Sequence, residues 1–176
     1  MGQIIRANPS STLTRPNNAT AYVQNQLIAS NTTAGSIVVP SIIIPRDDAR
    51  SVSITRGRIF TNKVLATLQL HVDLWSAAPT FTNGDGGAYA VATGWANWIG
   101  HLTSAAADVY SASGDGTMLA LTPGSTYAAA GSIPLISDHS PGGKIFWTLR
   151  EIDATGFTPS ALEIFTLTLE LEQDLD

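Results

Sequence analysis

The chain has 176 residues, enough for one domain with a sizeable core, and no cysteine, which excludes a disulfide framework, thiolate chemistry and cysteine-built zinc sites. Charged residues are 13% of the chain and the net charge is −5, with Lys and Arg scattered and no basic run. That pattern leaves no electrostatic footprint for nucleic acid, and a polar but uncharged surface suits packing against other subunits, because charge is depleted from interface cores.

The first six residues hold an apolar pair, Ile4 and Ile5, without a basic segment and a long apolar stretch behind it, so no signal peptide is expected. The longest apolar runs, such as Ile42, Ile43 and Ile44, fall far short of the ~20 residues that span a bilayer, and the expectation is a soluble protein. Residues 7–21 carry two prolines and many small polar side chains, which predicts an extended N-terminal arm over 1–21, either frayed or laid across a neighbouring subunit.

From Tyr22 the apolar spacing is that of strands. Tyr22, Val23, Leu27 and Ile28 come first, then Ile37, Val38 and Val39. Pro40 and Pro45 bracket Ile42 to Ile44, so that run is a short or edge strand. Val52 and Ile54 alternate with Ser51, Ser53 and Thr55, and Arg50, Arg56 and Arg58 read as the solvated ends of that strand. Over 67–75, Leu68, Leu70, Val72 and Leu74 point one way, and Thr67, Gln69, His71 and Asp73 point to a face that is wet or paired.

Residues 77–87 form a long connection. Residues 88–110 fit a helix about as well as a strand, and Gly94 and Gly100 favour strands broken at those points. Met118 to Leu121 and Ile133 to Ile136 are short strands. Ile145, Trp147 and Leu149 alternate with Phe146, Thr148 and Arg150, large side chains on both faces, as in a central strand. Phe165, Leu167, Leu169 and Leu171 alternate strictly with Thr166, Thr168, Glu170 and Glu172.

Short strands separated by Gly, Pro, Asn and Asp turns predict an all-β, jelly-roll-like β-sandwich of two antiparallel sheets over 22–176. An immunoglobulin-like sandwich is the alternative, though the Cys and Trp pattern of antibody domains is missing.

No residue pattern points to catalysis, a cofactor or a metal. His71, His101 and His139 stand far apart, so a metal site would have to be assembled by the fold. Asp138, His139 and Ser140 have the residue types of a hydrolase triad, but neighbours in sequence cannot converge on one substrate atom. Asn83-Gly84-Asp85-Gly86 resembles a calcium loop superficially, lacks the distal Glu, and reads as a turn. Neither it nor Gly114-Asp115-Gly116 ends as a phosphate loop does. Glu151, Glu163, Glu170 and Glu172 fall near strand ends or on outward faces, as solubilising groups and not as a glycosidase pair. Trp75, Trp95, Trp98 and Trp147 are expected to fill core and subunit contacts, with sugar stacking as the alternative.

Two elements carry a resemblance. One is Leu74-Trp75-Ser76-Ala77-Ala78-Pro79-Thr80 followed by Asn83-Gly84-Asp85-Gly86, and the other is Arg15-Pro16-Asn17-Asn18-Ala19-Thr20-Ala21-Tyr22, preceded by Thr14. Together they resemble small proteins encoded among the head genes of tailed bacteriophages, over about a third of the chain. The resemblance implies a virion component made in the host cytoplasm and placed on the outer surface of the capsid. There it would act as a decoration or cement protein, a dimer or trimer bridging major capsid subunits, with no active site. A glycan- or receptor-binding head fibre or tail module is the alternative.

Overall fold

The computed structural model describes residues 4–44, 51–65, 68–105, 109–112, 116–124, 131–135 and 143–174. Fourteen strands lie among them: β1 (Ile4–Ala7), β2 (Ser10–Thr14), β3 (Leu27–Ile28), β4 (Ser41–Ile43), β5 (Ser51–Thr61), β6 (Leu70–Trp75), β7 (Thr80–Phe81), β8 (Val91–Thr93), β9 (Trp98–Thr103), β10 (Val109–Ala112), β11 (Gly116–Pro123), β12 (Ile133–Leu135), β13 (Lys144–Glu151) and β14 (Ile164–Asp174).

In one sheet β1 and β2 lie end to end along one edge of β14, whose other edge pairs with β5; β11 and β12 share the far edge of β5. In the second sheet β9, β6 and β13 run side by side, with β3 and β4 end to end on the far edge of β13. All these pairings are antiparallel, and the end of β11, at Thr122 and Pro123, pairs with β9 and joins the sheets. Take β1 with β2 and β3 with β4 as one strand each, and set aside β7, β8, β10 and β12. The eight main strands then stand in the orders 1-8-3-6 and 2-7-4-5. Those interleaved orders are a jelly roll, as predicted, and not the immunoglobulin-like alternative.

Period-two burial builds the interior. Phe165, Leu167, Leu169 and Leu171 of β14 face Leu70, Val72 and Leu74 of β6 and Trp147 and Leu149 of β13 across one continuous core. Gly57 of β5 sits where the sheets press together: a side chain there would meet Leu102 and Leu121.

Three expectations shift. β5 extends through Gly57 to Thr61, so Arg56 and Arg58 stand on its outward face in mid-strand, Arg58 3.5 Å from Glu170, and do not cap its ends. The break expected at Gly94 is present, with left-handed φ 111° leading into a 3-10 turn, Trp95–Asn97. Gly100 does not break the chain; it lies inside β9, beside a bulge that lets Trp98 pair with Trp75. Thirdly, the predicted arm over 1–21 is extended where described, but its strands are spent on the chain's own sheet. Leu13 is buried in the core, because β14 offers a free edge and Leu13 an apolar side chain at the right register. Pro45, Arg50, Thr67, Gly114, Asp115, Ile136 and residues 138–140 lie outside the described residues.

Residues 76–97, joining β6 to β9, fold back over the second sheet. The β7–β8 hairpin carries Phe81, Tyr89 and Val91 onto Leu27 and Ala29 as a second small apolar cluster. The face of β6 expected to be wet or paired is thereby covered.

Candidate functional site

The turn at 83–87 places Asp85 against the N-terminal segment. Arg15, just past β2, donates from Nη2 to Asp85 Oδ2 at 2.8 Å and from Nε to the Tyr22 hydroxyl. Tyr22 in turn donates to Asp85 Oδ1 at 2.5 Å, and the same oxygen accepts the Ala29 N–H at 2.8 Å. Arg15 also reaches the carbonyl of Ser160 at 3.0 Å and Asn18 Oδ1 at 3.1 Å. The Arg15 and Asp85 side chains are buried. Burial, and then the Asp85 charge, push the Tyr22 hydroxyl above its ordinary value, so it stays protonated as a donor. Gly84 has no room for a Cβ against the Thr32 carbonyl, which explains the glycine. The turn reading of 83–86 therefore holds, with the carboxylate spent on Arg15, Tyr22 and Ala29. Two separate elements of the sequence resemblance, Arg15…Tyr22 and Asn83…Gly86, meet in one closed lock.

A second polar cluster lies under residues 76–97. Asp73 accepts the Trp98 indole N–H at 2.9 Å and the Tyr89 hydroxyl at 2.8 Å. His71 Nε2 is 3.4 Å from its Oδ1 and Arg150 Nε 3.9 Å from its Oδ2. The His71 and His101 rings stack with centroids 4.1 Å apart. Burial would raise Asp73; the hydrogen bond and charge of His71, then the Trp98 and Tyr89 donors, outweigh it and hold the carboxyl below its ordinary value. His101 is pushed down, by burial first and then by His71. Sequence spacing shows His71 and Asp73 on one face; only strand pairing sets His101 opposite Asp73.

The carboxylates divide. Glu170 and Glu172 are outward, as expected, and Glu172 is 3.1 Å from Arg6. Glu151 and Glu163 are 0% exposed, contrary to the expectation of solubilising groups. Each serves backbone at a strand end: Glu163 accepts the Ser160 N–H at 2.9 Å and the Thr61 hydroxyl, and Glu151 Oε1 accepts the Asp153 N–H at 2.5 Å. Burial raises Glu151 to about 7 against an opposing Asp153 N–H. Sealed in this way, neither can protonate a glycosidic oxygen.

Trp75 and Trp147 are fully buried, donating to Thr148 and Ser11, and fill the core as predicted. Trp95 is 59% exposed and tilts on Trp75.

On the outer face of the first sheet, Tyr110, Met118 and Phe60 stand in register across β10, β11 and β5, with exposures of 66%, 39% and 41%. Ile164 and Leu162, also exposed, lie at the neighbouring end of β14. Together they form an apolar row on the exposed face of the sheet.

No family model and no curated protein matches the chain. Solved structures with a similar arrangement include the decameric BFDV capsid protein, 12% identical over 97% of this chain and 99% of that one, TM-score 0.36. The VP2 subviral particle of infectious bursal disease virus is 8% identical over 99% of this chain and 33% of that chain, TM-score 0.33. Desmodium yellow mottle tymovirus is 10% identical over 99% and 88%, TM-score 0.29. These are likenesses of strand arrangement alone, and the jelly-roll assignment rests on the strand order itself.

Proposed function

We propose that the chain is a structural virion protein of a tailed bacteriophage, a capsid decoration or cement protein that bridges major capsid subunits on the outer surface of the head. The observation that carries this reading is the exposed Tyr110–Met118–Phe60 row on the outer sheet face. Aromatic and Met side chains are enriched at interface cores, and the Arg58–Glu170 ion pair lies beside Phe60 on the same face as a polar border. The Arg15–Tyr22–Asp85 lock adds support, since it explains in structural terms the elements that resemble phage head proteins. With β1 and β2 built into the chain's own sheet, the bridging surface is this face and not a free arm. Bridging works by avidity: modest contacts repeated over a lattice add up, and they oppose the outward pressure of packaged DNA.

The test is co-sedimentation with capsids that lack the protein. Wild type binds at a fixed number of copies per shell, and Phe60→Ser or Tyr110→Ser weakens binding about tenfold or more, the size of a truncated interface hot spot. Binding indifferent to both substitutions, or none by the wild type, contradicts the reading. Sedimentation of the free protein should show a dimer or trimer.

The exposure of Trp95 favours one alternative, a glycan-binding virion module. Glycan-array binding lost on Trp95→Ala would support it in place of the cement role.

A further inference from the structure

The face of β6 turned away from the main core holds His71 and Asp73 two residues apart, hence on one side of the strand, and β9 sets His101 opposite Asp73 in the ladder. One ligand atom from each of the three lies within 4.8 Å of the others. His71 Nε2 and Asp73 Oδ1 are 3.4 Å apart. Two ligands about 2.1 Å from a tetrahedral zinc ion are separated by about 3.4 Å, so this pair already has the edge length of such a site. Two imidazoles and a carboxylate are a donor set for Zn²⁺ and its neighbours in the transition series.

We propose that His71, Asp73 and His101 form a site for one divalent transition-metal ion of the Zn²⁺ class, which ties β6 to β9 beneath residues 76–97.

The surroundings fit the role. Trp98 and Tyr89 donate to Asp73 and fix its carboxylate, as outer-shell partners of metal ligands do. Gly124 leaves room for the His101 ring: a Cβ there would fall 1.6 Å from Nε2.

Arg150 sits beside the site as a replaceable cation. Its Nη2 is 3.3 Å from both ring nitrogens of His71, which places it over the ring face and not along either lone pair. Its Nε, 3.9 Å from Asp73, has no hydrogen-bond acceptor. The side chain is 28% exposed, so the guanidinium can swing outward as the ion enters. Removing a like charge next to the site should therefore tighten metal binding.

The experiment uses the full chain stripped with chelator and titrated separately with Zn²⁺, by calorimetry, and Co²⁺, by visible absorption. One ion per chain is expected, with the visible bands of Co²⁺ in a site of low coordination number and a rise in melting temperature. His101→Ala and His71→Gln each weaken binding about tenfold or more, the scale of losing one contact of 1.4 kcal/mol. Arg150→Ala strengthens it, a result that a purely structural arginine would not give. No saturable binding of either metal at about 1 mM, where a site would hold only about 4 kcal/mol, overturns the proposal. So does binding unchanged in both histidine variants. If His101→Ala does not fold, His71→Gln and Arg150→Ala decide the matter, and loss of affinity in Arg150→Ala counts against the site as drawn.

Discussion

Arg15 and Asp85 bury opposite charges 70 residues apart in sequence, and each is compensated by donors and acceptors aimed at it. Such a pair adds little over apolar packing, but breaking it leaves a charge stranded. Asp85→Asn should therefore cost about 3–5 kcal/mol, and Tyr22→Phe, which strips one acceptor and one donor from the lock, about 1–3 kcal/mol, both read from urea unfolding. Glu151 gives a pH signature. Its folded pKa of about 7 lies above its ordinary 4.5, so the folded state holds the proton more tightly. Its contribution is full below about 4.5 and lost as pH rises towards about 7, a swing of up to about 3 kcal/mol. The difference between unfolding free energies of wild type and Glu151→Gln should change between about pH 4.5 and about pH 7 and level off above, and a constant difference would refute the assignment. Neither the lock nor the buried carboxylates were legible in sequence. No local pattern links Arg15 to Asp85, and a Glu at the end of a strand looks the same whether a loop covers it or water does.

At the scale of elements, the alternation of Phe165 to Leu171 and Leu70 to Leu74 was readable, because period two follows from backbone geometry alone. So was the central place of β13, whose side chains are large on both faces. What covers the second face of β6 was not readable, since it depends on where residues 76–97 fold back. The N-terminal strands escaped notice for a related reason: Ser10–Thr14 has one apolar side chain, Leu13, and owes its pairing to the edge of β14. Deleting residues 1–14 should uncover that edge and leave a strand of 11 residues as a template for aggregation. Light scattering that rises with concentration in the truncated protein, and not in the full chain, is the expected result. Equal solubility would mean that β1 and β2 are dispensable.

For the whole molecule, the jelly roll is a scaffold that hosts many roles, and the role must be argued from surfaces. The interior is closed around its ionic lock, and the outer sheet face carries an apolar row, which together favour a part that is held and holds. Cryo-electron microscopy of the purified virion tests this most directly. The prediction is sandwich-shaped density repeated at regular positions over the outer surface of the shell, with the Tyr110–Met118–Phe60 face turned to a neighbouring subunit. Density confined to the tail tip, or particles from which the chain is absent, would contradict a cement role.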